Sequence, residues 1–327
     1  MPPQLIFGTA SFGGPPPGFE SPQSIHSLLN TLQILKITHL DTAARYPPTN
    51  PGRSEELIGE VATSSAAFQV DTKCLVDTAT DGSGDLSKER MEASVERSLT
   101  RMKRTNIDVL YAHRADPSTP LEDQIRNFNE MIDRGVCRDW GVSNFSPSTM
   151  ETLLKICDEK GLRKPKYYQG VYNLIARAME TKLLPLLRAH GVAFVGYAPL
   201  AGGYLTANLA NNTTQGTRFD ASNPIGRILG PRFSTPTLTS AMQRFDAAVR
   251  GKGLNPIEVS LRWLNHHSPL RDEDGIILGA SKEEQVVRSV EGIRRGALET
   301  EVLADVERLW RDVAEVGCEG IWGNAMG

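Results

Sequence analysis

Polar side chains interrupt or close otherwise apolar runs at six places in this chain: Asp41, Lys73, His113, Ser143-Asn144, Gln169 and Tyr197. Such groups are costly inside apolar surroundings unless they are paired. Taken singly, each has an ordinary reading: a turn cap for Asp41, a satisfied core histidine for His113, a surface lysine for Lys73. Taken together, six such stations at equivalent strand ends are much harder to dismiss. The cysteines Cys74, Cys137, Cys157 and Cys318 are scattered, with no CxxC and no histidine nearby at ligand spacing. They read as reduced thiols, and no metal site is expected.

The elements that must position these groups follow a rhythm of strand, loop and helix. Short apolar runs at 5–8, 38–41, 68–74, 107–113, 136–142, 167–171, 192–198 and 275–279 read as eight strands. Helical periodicity covers roughly 22–36, 54–63, 87–104, 121–134, 147–160, 179–190, 256–267 and 299–316. Ser146-Pro147 and Asn255-Pro256 each place a capping side chain before a proline at the first helical position. Gly135, Gly161 and Gly191 follow helical runs, where a left-handed cap residue is expected. Strands buried on both faces, each followed by a crossover helix, predict an α/β fold: a (β/α)8 TIM barrel, one domain over residues 1–327. An open doubly wound sheet is the alternative. In a barrel the site forms at the C-terminal strand ends, where the polar stations lie. Residues 200–236 are rich in Gly, Asn, Thr and Pro and read as a long loop after strand seven, the usual form of a lid or binding loop.

Composition excludes other classes. A net charge of -3 suggests neither nucleic acid nor an anionic membrane as partner. The N-terminus has no basic, then apolar, leader pattern, and no apolar run approaches the ~18–20 residues of a membrane span. A cytoplasmic location is expected.

The segment Asp41-Thr42-Ala43-Ala44-Arg45-Tyr46, followed by Ser54-Glu55-Glu56-Leu57-Ile58-Gly59, resembles the aldo-keto reductase signature. Thr72-Lys73 and Tyr111-Ala112-His113 resemble the two remaining catalytic stations. Gly141-Val142-Ser143-Asn144 and Tyr197-Ala198-Pro199-Leu200-Ala201-Gly202-Gly203 resemble the cofactor stations. The set runs in order from about residue 5 to about residue 290. Within the family, the Tyr197 segment, Gly216-Thr217-Arg218-Phe219 and Ile277-Leu278-Gly279-Ala280-Ser281 are most similar to the aflatoxin-aldehyde reductase branch. The resemblance implies NADP(H)-dependent reduction of an aldehyde or ketone, with Asp41, Tyr46, Lys73 and His113 catalytic, and a homodimer. It leaves open a cofactor-binding regulatory subunit with little turnover. Lys73 at a strand end also leaves open a Schiff-base lyase.

Residue chemistry gives the implied mechanism its form. A tyrosine of ordinary pKa, about 10, is a poor acid at neutral pH, and a neighbouring ammonium lowers that value. Lys73 is expected to do this, held charged by Asp41. Tyr46 then acts as general acid, and His113 orients the carbonyl and donates to the developing oxyanion. The hydride comes from a nicotinamide. By resemblance, Tyr197 stacks on its ring, and Ser143, Asn144 and Gln169 bond its carboxamide. No GxGxxG follows the first strand, so backbone amides around Leu200 and Gly202 are expected at the pyrophosphate instead. Ala280, Ser281, Gln285 and Ser289, with Lys282 and Arg218, fall at the implied 2′-phosphate and adenosine station. Gly279 and Gln285 stand where many relatives carry basic residues.

The substrate pocket is expected to include Phe12, Tyr46, His113 and Arg114, with Trp322, Arg227 and Arg232 as weaker candidates. A guanidinium at Arg114 would suit an anionic or strongly polar substrate, or else pair with Asp116. The residues Gly320 to Gly327 include no arginine, whereas in the resembled branch a C-terminal arginine holds a substrate carboxylate. A bulkier aromatic or polyketide-type carbonyl is therefore expected rather than a small carboxylated aldehyde.

Overall fold

Eight parallel strands, each paired with its neighbours in chain order, close on themselves as a barrel, β1 meeting β8. The computed structural model describes residues 2–15, 17–74 and 81–316. Expectations placed on Cys318, on Trp322 and on the tail after residue 316 lie outside the described residues. In chain order the elements are β1 (Gln4–Gly8), α1 (Pro22–Ile34), β2 (His39–Asp41), α2 (Arg53–Glu60), α3 (Ala62–Ser65), β3 (Gln69–Lys73), α4 (Lys88–Met102), β4 (Ile107–Ala112), α5 (Leu121–Asp133) and β5 (Cys137–Ser143). They continue as α6 (Pro147–Lys160), β6 (Tyr167–Val171), α7 (Leu183–Ala189), β7 (Ala193–Tyr197), α8 (Pro224–Phe233), α9 (Pro236–Arg250), α10 (Pro256–His266), β8 (Gly275–Leu278), α11 (Glu283–Arg294) and α12 (Thr300–Val313). The closed barrel removes the doubly wound alternative.

Register decides which side chains face inward. Parallel pairing sets His39 beside Gln69 and Asp41 beside Asp71. Alternation along β3 then sends Val70 and Thr72 to one side and Asp71 and Lys73 to the other. The Thr72 hydroxyl donates to Glu55 Oε1 of α2 at 2.7 Å, so the first side faces the helices. Asp41 and Lys73 therefore point into the barrel. Ile6, Val195 and Ile277 form a small apolar cluster of their own, with Tyr167 and Tyr197 packed on it. The larger core lies between barrel and helices and includes Leu40, Val70, Leu110 and Val142. Helix α2 sits so close to α4 that a Cβ on Gly59 would lie 2.0 Å from the Arg101 carbonyl oxygen.

The expected long loop at 200–236 contains more structure than its composition suggests. A 3-10 segment spans Ala201–Thr206, and α8 spans Pro224–Phe233 despite Pro231 inside it. Tyr204 stacks on Phe233 at 5.0 Å and donates to the Leu238 carbonyl at 2.6 Å, which ties this connection down on α9. Helices α9 and α11 are also absent from the sequence reading. The signal for α8 and α9 was present: Asn223-Pro224 and Thr235-Pro236 repeat the cap-then-proline device seen at Ser146-Pro147, and each side chain accepts a first-turn amide.

Candidate active site

The strand ends bring Asp41, Lys73 and His113 together as the sequence implies. Lys73 is fully enclosed, and its ammonium donates to Asp41 Oδ1 at 2.7 Å and to the Thr42 carbonyl at 2.8 Å. The same ammonium lies 5.2 Å from the centre of the Tyr46 ring. The rings of Tyr46 and His113 meet edge to face at 5.7 Å. Tyr46 is only partly buried and lies in the turn between β2 and α2. Its carbonyl accepts the amides of Gly52 at 3.2 Å and Ser54 at 3.1 Å, which fixes the turn to the start of α2. The Ser54 hydroxyl in turn bonds Thr9 Oγ1 at 2.8 Å and Thr42 Oγ1 at 3.0 Å, joining the ends of β1 and β2. The Ser-Glu-Glu run of the signature thus has a positioning role: Ser54 locks the tyrosine turn and Glu55 ties α2 to β3.

The electrostatics correct one expectation. Burial raises the Tyr46 pKa above its ordinary value, and this outweighs the opposing pull of Lys73, Arg45 and Arg218. The phenol is therefore firmly protonated, which suits a proton donor and not a resting phenolate. For Lys73, burial favours the neutral amine, but Asp41 and Tyr46 overcome it and the pKa is raised. A locked ammonium of this kind does not serve as a Schiff-base nucleophile. His113 is held neutral, its pKa well below the ordinary value, first by burial and then by the charges of Lys73, Arg45 and Arg114. Its Nδ1 is buried without a hydrogen-bond partner among the described residues.

A second group of polar residues closes β5, β6 and β7. Asn144 takes a left-handed backbone, φ 62°, and braces three strands. Its Nδ2 donates to the His113 carbonyl at 3.2 Å and to Ser143 Oγ at 3.0 Å, while its Oδ1 accepts the Tyr197 hydroxyl at 2.8 Å. Gln169 donates from Nε2 to Asp41 Oδ1 at 2.9 Å, a contact that strand-by-strand reading missed. Tyr197, partly exposed and pinned through its hydroxyl to Asn144, closes the strand next to that of Gln169, which itself pairs with Ser143. An aromatic face next to amide and hydroxyl groups fits a nicotinamide ring and its carboxamide.

At the turn after β7, the amides of Ala201 and Gly203 are engaged by Ala198 and Leu200 within the turn, so the expected run of phosphate-binding amides is partly occupied. Gly202 keeps a positive φ of 64°. At α11, Gln285 Oε1 accepts the amides of Ser281 at 2.9 Å and Lys282 at 3.3 Å, so Gln285 caps the helix. Ser281, Gln285 and Ser289 are spaced four apart at this end, and Lys282 is exposed. The loop after β1 packs on the same place: Ser11 donates to the Ala280 carbonyl at 2.7 Å, and a Cβ on Gly18 would lie 1.8 Å from the Ser281 carbonyl oxygen. The charge of Arg218, in the segment after β7, pulls the Tyr46 pKa down.

Several pocket expectations change. Phe12 is fully buried and packs on Phe7 at 6.1 Å and Phe19 at 5.7 Å, so it belongs to the core and not to a pocket. Arg227 and Arg232 are exposed on α8. Asp116 does not wait for Arg114: its carboxylate accepts the amides of Gly84 at 2.8 Å and Leu86 at 2.9 Å and the Thr119 hydroxyl at 2.6 Å. Arg114 is half-buried and lies against Gly82, where a Cβ would meet its Nε at 2.7 Å. Burial pushes the thiols of Cys137 up to about 12 and of Cys157 up to about 11, which leaves them unreactive.

The sequence profile of the Aldo/keto reductase family matches residues 4–311. The chain belongs to the aldo/keto reductase family. Among its relatives is Oxidoreductase sirO of Leptosphaeria maculans, 32% identical over 96% of this chain and 95% of that protein. Aflatoxin B1 aldehyde reductase member 2 of Mus musculus is 28% identical over 95% of this chain and 86% of its own length. L-glyceraldehyde 3-phosphate reductase of Escherichia coli O157:H7 is 28% identical over 88% of this chain and 83% of its own length. The family and its oxidoreductase members make this aldo/keto reductase an enzyme of carbonyl reduction. Among the described residues no helix is long and apolar enough to cross a membrane.

Proposed function

We propose that this chain is an NADPH-dependent reductase of aldehydes or ketones in which Tyr46 delivers the proton. The observation that carries the reading is the Lys73 ammonium, bonded to Asp41 at 2.7 Å and set 5.2 Å from the Tyr46 ring, with a neutral His113 at the ring's edge. A reduced nicotinamide, when bound, supplies a hydride to the carbonyl carbon. Tyr197, Ser143, Asn144 and Gln169 would hold it, and Ser281, Lys282 and Ser289 would receive the far phosphate.

The chain's own groups handle the proton. Tyr46 gives its phenolic proton to the carbonyl oxygen, which becomes the alcohol hydroxyl. The phenolate left behind is stabilised by Lys73, whose charge Asp41 and Gln169 keep in place. Neutral His113 donates a hydrogen bond to the same oxygen as negative charge builds there. In oxidation each step reverses and the phenolate is the base.

Tyr46→Phe tests the reading. NADPH titration by fluorescence should be unchanged, while turnover with a reactive aldehyde should fall on the order of 100- to 10,000-fold. Turnover within a few fold of wild type would sink it. Tight NADPH binding by the wild type with no reduction of any carbonyl would favour the regulatory-subunit reading instead.

A further inference from the structure

Arg45 directly precedes Tyr46, and it is unlike the other buried arginine of the described residues. Arg262, 8% exposed, is neutralised by Glu258 at 3.0 Å and donates to the carbonyls of Gly296 at 2.8 Å and Ala297 at 2.6 Å. Arg45 is 7% exposed, its Nη1 is buried without a partner, and no ion pair reaches it among the described residues. A guanidinium in this position is costly unless something of opposite charge arrives. Among the described residues none does so. Asp41 is taken by Lys73 and Gln169, and Asp116 by the amides and hydroxyl of its own loop.

The neighbourhood is also cationic as a whole. The charges of Arg45 and Arg114 both bear on His113, and those of Arg45 and Arg218 both bear on Tyr46. The nicotinamide stations lie on β5, β6 and β7, whereas Arg45 follows β2 on the far side of the closed barrel. An anion that meets Arg45 would therefore come with the substrate. Guanidinium geometry suits a carboxylate or a phosphate through paired hydrogen bonds.

We propose that Arg45 is a specificity-determining residue that binds an acidic group, carboxylate or phosphate, carried by the substrate close to its reacting carbonyl. The inference rests on the carbonyl-reductase reading. It narrows the expected bulky carbonyl to one bearing an acid. It also places recognition in the tyrosine turn, independently of the chain's C-terminal segment.

The test uses two matched pairs of aldehydes with NADPH: benzaldehyde against ortho-carboxybenzaldehyde, and glyceraldehyde against its phosphate ester. Wild type should prefer the acidic member of at least one pair, and the pair that responds tells carboxylate from phosphate. Arg45→Met should lose on the order of 10- to 100-fold more in kcat/KM for that acid than for its neutral partner, the excess loss appearing mainly in KM. Arg45→Lys should restore part of the loss. If Arg45→Met folds poorly, Arg45→Gln serves with phthalate or inorganic phosphate as competitive inhibitor of neutral-aldehyde reduction, inhibition weakening about tenfold in the variant. Equal losses on acidic and neutral aldehydes overturn the inference, as does a wild type without preference for either acid. A wild type that reduces none of the four overturns the reductase reading itself, and this inference with it.

Discussion

Gln169 Nε2 donates to Asp41 Oδ1 at 2.9 Å, a bond that crosses the barrel from β6 to β2. The same oxygen accepts Lys73 at 2.7 Å. A residue assigned by resemblance to the nicotinamide edge therefore also braces the catalytic ion pair. Gln169→Leu should weaken NADPH binding and turnover together, each on the order of 10-fold, because one side chain serves both sites. Fluorescence titration and steady-state rates on the same preparation check this. A loss confined to cofactor affinity would mean that the bond to Asp41 is idle.

The pH profile follows from the direction of two shifts. Reduction needs the protonated phenol of Tyr46, whose pKa is raised by burial against the pull of Lys73. Reduction should then hold level through neutral pH and decline only above about 10, while oxidation of the product alcohol climbs over the same range. His113 is neutral, its pKa pushed well below the ordinary value by burial and then by Lys73, Arg45 and Arg114. No acid limb belonging to it should appear near about 6.5. A kcat/KM profile that breaks between pH 6 and 7 for wild type and not for His113→Gln would contradict this assignment.

Lys73→Met separates stability from chemistry. The carboxylate of Asp41, 3% exposed, loses its ion-pair partner in this variant, at a cost of about 3–5 kcal/mol. Adding Asp41→Asn removes that charge, so the double variant should regain most of the lost stability in a thermal melt. Turnover should stay low in both, since neither supplies the cation that Tyr46 needs as it loses its proton. Activity that returned together with stability would show that Lys73 is structural.

The barrel was legible because its signals are periodic and local. Eight apolar runs of strand length with turns between them leave few arrangements, and the strands fall within a residue or two of the expected bounds. The grouping of Asp41, Lys73 and His113 was legible because each closes or directly follows a strand at the same end of the barrel. Three things were not. Helix α8 was hidden by Pro231 and by the Gly- and Asn-rich stretch before it, although Asn223-Pro224 announced its start. The direction of the Tyr46 shift depends on burial, which a list of nearby charges does not contain. Phe12 looked like a pocket aromatic because the sequence does not reveal that Phe7 and Phe19 enclose it.

Arg218 and Lys282 are both candidates for the 2′-phosphate, and a pair of variants separates them. The charge of Arg218 pulls the Tyr46 pKa down against burial. Lys282 is exposed beside the first turn of α11, where Gln285 organises the amides of Ser281 and Lys282. A helix N-terminus with a nearby ammonium favours a dianion. Lys282→Glu should therefore weaken NADPH on the order of 10-fold and leave NADH unchanged, narrowing the ratio of their dissociation constants. Arg218→Met should leave that ratio alone and lower turnover instead, because it removes a cation near the phenol. The reverse pattern, with the ratio moved by Arg218→Met and untouched by Lys282→Glu, would return the phosphate to the lid segment and make α11 a purely structural helix.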